Sequence, residues 1–200
     1  FAIPMTLRFR GEALNTENGP QTPMTGSRIL LLIHGLCMTD SQWRTQQGDE
    51  VVDHGEALAS AFGYTPIHLR YNTGLHVSTN GRELSVQLEN LVNAWSNPIE
   101  ELTVVAHSMG GLVIRSAFHI AREDALLWPD HLKTIVFLGT PHHGAPLEKA
   151  GNWVDAILTA TPYTAPFAKL GQVRSAGITD LRFGHVLDED WQGQNRFLRQ

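Results

Sequence analysis

Ser108 lies between an apolar run, LTVVA at 102–106, and a glycine pair, Gly110-Gly111. A serine hydroxyl is a weak nucleophile until it is presented beside a base that takes its proton. A sharp strand-to-helix turn does the presenting, lifting the hydroxyl to the top of a sheet. It also brings strand and helix so close that the positions two before and two after the serine must be small. Ala106 and Gly110 meet that demand, and Gly111 extends it. A helix starting at the serine also aims free N–H groups at the site, where they stabilise negative charge on a substrate oxygen. The pentapeptide is Ala-x-Ser-x-Gly rather than Gly-x-Ser-x-Gly, a departure of one methyl group. The plainer alternative is a glycine-rich turn with an idle serine.

A second stretch narrows the choice. LLIHGLCMTDSQW, at 31–43, continues a buried-strand pattern (ILLLI, 29–33) into His34-Gly35. In acyl transfer at a serine elbow, an N–H from such a loop pairs with the N–H of the residue after the nucleophile to hold the oxyanion. Those donors would be Leu36 and Met109. Each motif ends a buried strand, and they come in the order this chemistry requires.

The elements that must position these residues follow from periodicity. A strand is expected at 5–9, followed by a Gly-, Pro- and Thr-rich stretch to 28. Asp53 and Glu56 read as a capping box opening a helix that Gly63 closes. Ile67, Leu69 and Tyr71 alternate as in an edge strand. Asn80 and Glu83 mark a further helix start, with Leu84, Leu88, Leu91 and Trp95 at helical spacing until Pro98. The spacing predicts buried strands at 102–106 and 134–138 and a helix over 111–122. Strand, helix, strand, helix, strand describes a mostly parallel sheet with helices on both faces. Right-handed crossovers bring the strand ends, and so Ser108, His34-Gly35 and His142-His143, to one edge.

The remaining segments divide the possibilities. Residues 145–180, with Pro146, Pro162 and Pro166 among Trp153, Ile157, Phe167 and Leu170, read either as a lid over the site or as short surface helices. As a lid, the segment would supply substrate-binding contacts from Trp153 and Phe167. Of the ten histidines, His34 is expected to order its loop rather than act as a base. The side chain of His107 should point away from that of Ser108. His185 follows the serine late in the chain, near Asp180, Asp188 and Asp190, on a tail expected to be polar and loop-like. Asp155 is expected on a solvated helix face. The run Asp188-Glu189-Asp190 reads as solvated charge, and His142-His143 lack a third ligand at metal spacing, so no metal is expected.

IHGLCMTDSQW, AHSMGG and FLGTPHHGAP together resemble the α/β-hydrolase superfamily. The likeness is to its bacterial lipase and esterase branch, similar to GPI inositol-deacylase-like and triacylglycerol-lipase-like proteins. The resemblance covers roughly residues 28–150. It implies a Ser–acid–His triad in that chain order and no cofactor. It also implies two further core strands carrying the acid and the histidine, which are not evident before residue 200. The sheet is therefore expected to be incomplete at its C-terminal end, with the single domain over 1–200 continuing further. Ser108 is expected to be exposed, with no histidine–carboxylate pair in reach.

Composition fits a folded chain of this kind. Apolar residues make up 42% and charged residues 18% of 200. The net charge of −5 and the absence of a basic block argue against nucleic-acid binding. The one cysteine, Cys37, excludes an intrachain disulfide and fits a reducing compartment; the start, FAIPMTLRFR, leaves export open. No apolar run is long enough to cross a bilayer. The expected activity is a serine hydrolase cleaving small-molecule or lipid esters. A thioesterase or acyltransferase using the same nucleophile, and a hydrolase-fold binding module without activity, are the alternatives.

Overall fold

The computed structural model describes residues 3–14, 26–144 and 175–192. The strands are β1 (Thr6–Phe9), β2 (Glu12–Ala13), β3 (Arg28–Ile33), β4 (Arg44–Gln47), β5 (Glu50–Asp53), β6 (Thr65–Arg70), β7 (Glu101–His107) and β8 (Leu132–Leu138). The helices are α1 (His54–Phe62), α2 (Val77–Ala94), α3 (Met109–Glu123), α4 (Trp128–His131) and α5 (Ala176–Phe183), with short 3-10 turns at Asp40–Trp43 and Asp188–Asp190.

The main sheet runs β2-β1-β6-β3-β7-β8. β6, β3, β7 and β8 are parallel, with Leu31 opposite both Ile67 and Val104. β1 pairs antiparallel with β6 and β2. β4 and β5 form a separate antiparallel hairpin. Because the strand period is two, β3 feeds both layers. Ile29, Leu31 and Ile33 join Ile67, Leu69, Val104 and Ala106 under α2 and α3. Leu30 and Leu32 join Val105 and Trp43 on the other face, where α1 packs on β3 and β6. Helices thus cover both faces, as the alternation of elements predicts.

α2 and α3 approach closely because Gly81 has no side chain: a Cβ there would lie 3.0 Å from the Ala117 nitrogen. Leu84, Leu88 and Leu91 are buried beneath α2, each worth about 1.5–3 kcal/mol relative to exposure. The Asp53 carboxylate accepts from the Gly55 and Glu56 N–H groups, and Gly63 closes α1 at φ 73°. That helix is bounded as the sequence reading has it.

Other expectations need correction. The alternating run at 67–71 is not an edge strand: β1 covers it, so β6 is internal and buried on both faces through Pro66–Leu69. α2 begins at Val77, ahead of Asn80, whose side-chain amide instead donates to the Asn72 carbonyl at 3.0 Å. The run at 134–138 is not buried. β8 is the last strand of the sheet, and Val136, Phe137 and Leu138 are 41%, 37% and 41% exposed. No further strand pairs with its outer side among the described residues. α5 runs into the first residues of the tail expected to be loop-like, with Asp180 and Leu181 buried; from 184 to 192 that tail is turns, irregular backbone and the 3-10 turn Asp188–Asp190. Residues 145–174, with Asp155 and the proposed contacts Trp153 and Phe167, lie outside the described residues. No described helix is long and apolar enough to cross a membrane.

Candidate active site

Ser108 joins β7 to α3 with φ 51° and ψ −120°. For a residue with a Cβ this is strained backbone, costing on the order of 1–3 kcal/mol, and it persists only where its surroundings impose it. Here they do. The Ser108 N–H donates to the Leu138 carbonyl at 2.8 Å, tying the turn to the end of β8. The next helical turn is pressed against neighbouring backbone. A Cβ on Gly110 would lie 2.7 Å from the His34 carbonyl oxygen, and one on Gly111 would overlap the Thr140 side chain. Small residues after the serine are therefore a packing requirement of this turn.

The His34-Gly35 loop is pressed against the same turn. A Cβ on Gly35 would lie 2.7 Å from His107 Nδ1 and 3.2 Å from the Ser108 Cβ. Met38 N–H donates to the Gly35 carbonyl at 3.3 Å, closing a tight turn in which Cys37 takes φ 57°. Leu36, inside that turn, carries no N–H hydrogen bond among the described residues. Met109 is the first residue of α3, so its N–H has no partner within the helix. The donors expected from the sequence therefore flank Ser108 from the loop side and the helix side.

His34 orders its loop and does not face the serine as a base. It is buried, stacks on Tyr71 with ring centroids 4.3 Å apart, and bonds at both ends. Nδ1 lies 3.0 Å from the Gly35 carbonyl, and Nε2 accepts from the Tyr71 N–H at 3.4 Å. One donor and one acceptor make a neutral ring, with its hydrogen on Nδ1. Burial lowers its pKa to about 4, so it stays neutral at ordinary pH. The Tyr71 hydroxyl returns a hydrogen bond to the His34 carbonyl at 2.9 Å, and burial pushes that phenol's pKa up.

Ser108 departs from expectation in one respect. It is 2% exposed rather than open to solvent, and its buried Oγ carries no hydrogen bond among the described residues. The Gly35 loop on one side and the α3 start on the other leave little of it accessible. No described histidine bonds to it. The His107 ring turns to Gln42, with Nδ1 2.8 Å from Nε2. His142 lies beside Arg115, 3.2 Å from its guanidinium, and edge-on to Phe137. His185 is not on a free surface loop. Its Nδ1 lies 3.5 Å from Asp180 Oδ1, and that fully buried carboxylate also accepts from the Val77 N–H at 2.7 Å and lies 3.0 Å from His76 Nδ1. Gln42 and His76 had no role in the sequence reading, Tyr71 entered it only as a strand residue and Asp180 only as a neighbour of His185. Gln42 lies inside the stretch that follows His34-Gly35, and Asp180 close to His185, but neither position signals the partner across the fold. Among the described residues no group of His, Cys, Asp and Glu is placed to hold a metal.

A mostly parallel sheet with β1 antiparallel, helices on both faces and a strained serine turn at the strand edge defines the α/β-hydrolase fold. Within it, the chain belongs to the family described as the PGAP1-like alpha/beta domain, whose model matches residues 24–200. Solved structures share the fold. The mature form of a Bacillus licheniformis lipase aligns with TM-score 0.55 and 18% identity, over 90% of this chain and 61% of the lipase. A lipase-esterase related protein from Clostridium acetobutylicum aligns with TM-score 0.51 and 12% identity, over 93% of this chain and 73% of that one. The chain thus spans less than two thirds of the mature lipase. No curated protein matches in sequence.

Proposed function

We propose that the protein is a serine hydrolase that cleaves carboxylic esters. The supporting observation is the strained backbone of Ser108, φ 51°, wedged between the Gly35 loop and the start of α3. A scaffold has no use for that strain, whereas a nucleophile needs it to stand clear of strand and helix. Ser108 Oγ attacks the acyl carbon while a base takes its proton; none of the ten histidines, all among the described residues, bonds to Ser108 in this structure. The Leu36 and Met109 N–H groups hold the oxyanion, worth about 3–4 kcal/mol per donor in comparable sites. The alcohol leaves with the proton, and water then attacks the acyl-enzyme, restoring the serine and releasing the acid. A thioester is cleaved the same way, and an acyltransferase differs only in admitting an alcohol at the second step. The substrate is a small-molecule or lipid ester, with Trp153 and Phe167 contributing apolar contact to its acyl chain.

A fluorophosphonate probe tests this directly. Labelling of the full-length protein at Ser108, lost in Ser108→Ala along with hydrolysis of p-nitrophenyl esters, is the expected result. The buried, unpartnered Oγ favours the rival reading, a hydrolase-fold binding module, and an unlabelled Ser108 in folded protein would select it. Replacing Trp153 or Phe167 with Ala should weaken octanoyl esters more than acetyl esters. Equal effects on both would remove those residues from the pocket.

A further inference from the structure

Gln42 touches neither Ser108 nor the expected oxyanion donors, yet it bonds to the residue just before each motif's working atom. The Gly35 N–H donates to Gln42 Oε1 at 2.9 Å. Gln42 Nε2 lies 2.8 Å from His107 Nδ1. Gly35 precedes Leu36, and His107 precedes Ser108. One amide thus spans the gap between the oxyanion loop and the nucleophile turn.

The orientation of that amide follows from chemistry. A backbone N–H can only donate, so the Gln42 atom facing Gly35 must be the oxygen. The amide nitrogen then faces His107, and Nδ1 must accept. The bridge therefore requires a neutral His107 with its hydrogen on Nε2. Flipping the amide would set two donors against each other at Gly35.

Gln42 is also held in place. It lies in the 3-10 turn Asp40–Trp43, opened by Thr39, whose hydroxyl accepts from the Ser41 N–H. Asp40 on one side of it pairs with Arg70 at 2.6 Å and Arg8 at 3.2 Å, fixing the turn to β6 and β1. Trp43 on the other side is buried with Leu30, Leu32 and Val105. With both flanks anchored, the amide cannot follow the loop if the loop drifts. The loop has little slack in the other direction either, because Gly35 lacks room even for a Cβ beside His107 and Ser108.

We propose that Gln42 is a positioning residue that sets the spacing of the Leu36 and Met109 N–H groups across the oxyanion, by bridging Gly35 to His107. The inference rests on the serine-hydrolase reading. Its consequence is kinetic: without the bridge the ester still binds, but the donors no longer converge where charge develops. Misplacement of this order costs about 10-fold or more in rate.

The test uses the full-length protein with the fluorophosphonate probe and a p-nitrophenyl ester. Gln42→Leu removes both hydrogen bonds at similar volume. It should slow labelling and lower kcat about 10-fold or more, with KM nearly unchanged. Gln42→Glu separates positioning from general damage. The introduced carboxylate accepts from Gly35, and a neutral His107 with its hydrogen moved to Nδ1 donates to the other oxygen, so the bridge survives this exchange. Gln42→Glu should therefore keep most of the labelling rate that Gln42→Leu loses. Wild-type labelling with an undiminished rate in folded Gln42→Leu would overturn the inference and leave the hydrolase reading standing. Labelling of folded Gln42→Glu slowed about 10-fold or more would overturn it as well, even if Gln42→Leu does not fold. Absence of wild-type labelling would remove the hydrolase reading and this inference together.

Discussion

At φ 51° Ser108 occupies backbone that glycine adopts freely, and its buried hydroxyl has no hydrogen-bond partner among the described residues. Both features cost stability, and both vanish in Ser108→Gly. That variant should unfold at higher denaturant than wild type, by about 1 kcal/mol after the entropy that glycine adds to the unfolded chain, while losing ester hydrolysis. A lower midpoint would mean that the turn is not strained. Cys37 is the contrasting neighbour: it is exposed and takes φ 57° beside the Leu36 donor. Cys37→Ser should keep most turnover, and an inactive but folded variant would give the thiol a role it lacks here. His34 supplies a pH signature. Its folded pKa, about 4, lies below the ordinary value of 6.5 chiefly through burial. The folded state thus binds fewer protons than the unfolded state between those values. The stability this contributes is full above about pH 6.5 and is lost as pH falls through about 4. Urea titrations at pH 7, 5.5 and 4 should show His34→Gln losing less stability across that range than wild type. Parallel losses would refute it. At this scale the sequence was legible wherever a residue's size is the constraint. Ala106, Gly110 and the His34-Gly35 pair announce a crowded turn by being small. It was silent where the constraint is a hydrogen bond across the fold, as between Tyr71 and His34 or between Gln42 and His107.

The elements repeat that division. β3 and β7 announce themselves through a continuous apolar run, because strands lie on either side and both faces are buried; α1 does so through its Asp53 cap and closing Gly63, and α3 through the apolar residues of its buried face. β6 reads as an edge strand only while β1 is unknown to cover it, and β8 reads as buried only while another strand is assumed beyond it. α2 starts earlier than its sequence suggests because its cap comes from elsewhere. His76 makes no side-chain cap bond; instead Asp180, on α5, accepts from the first helical N–H, that of Val77, at 2.7 Å. A carboxylate at that end also suits the helix dipole. Trp191 secures the same junction by stacking on His76 at 3.9 Å and donating to Ser78 Oγ at 3.1 Å. Nothing local in either segment signals a bond between residues so distant in sequence. Asp180→Ala strands a buried N–H and frees α5 from α2, and should cost about 2–3 kcal/mol in chemical denaturation. A loss below about 0.5 kcal/mol, the range of unremarkable surface changes, would show that α5 is held by its apolar contacts alone.

Across the whole molecule, the Ser108 turn and the outer strand of the described sheet are mechanically joined. Ser108 hangs from Leu138 through its N–H, and Leu138 ends β8, the last strand of the sheet. The opposite, N-terminal ends of β3 and β7 are fastened by Arg28, which pairs with Glu101 at 2.9 Å and donates to the Tyr64 hydroxyl at 2.8 Å. β8 has no such fastening among the described residues beyond its pairing with β7. It presents Val136, Phe137 and Leu138 at 37–41% exposure along an edge that is unpaired among the described residues. An apolar edge strand with free N–H and C=O groups is a template for another strand. The 200-residue chain should therefore self-associate as its concentration rises. A charge placed on the edge, Val136→Lys, should shift it toward monomer in sedimentation velocity, because pairing would then bury an ammonium. The same association should stiffen β8 and, through Leu138, lower hydrogen exchange at the Ser108 amide. Monomeric wild type at every concentration, or exchange at Ser108 that ignores association, would show that β8 holds the nucleophile turn without a neighbour on its outer edge.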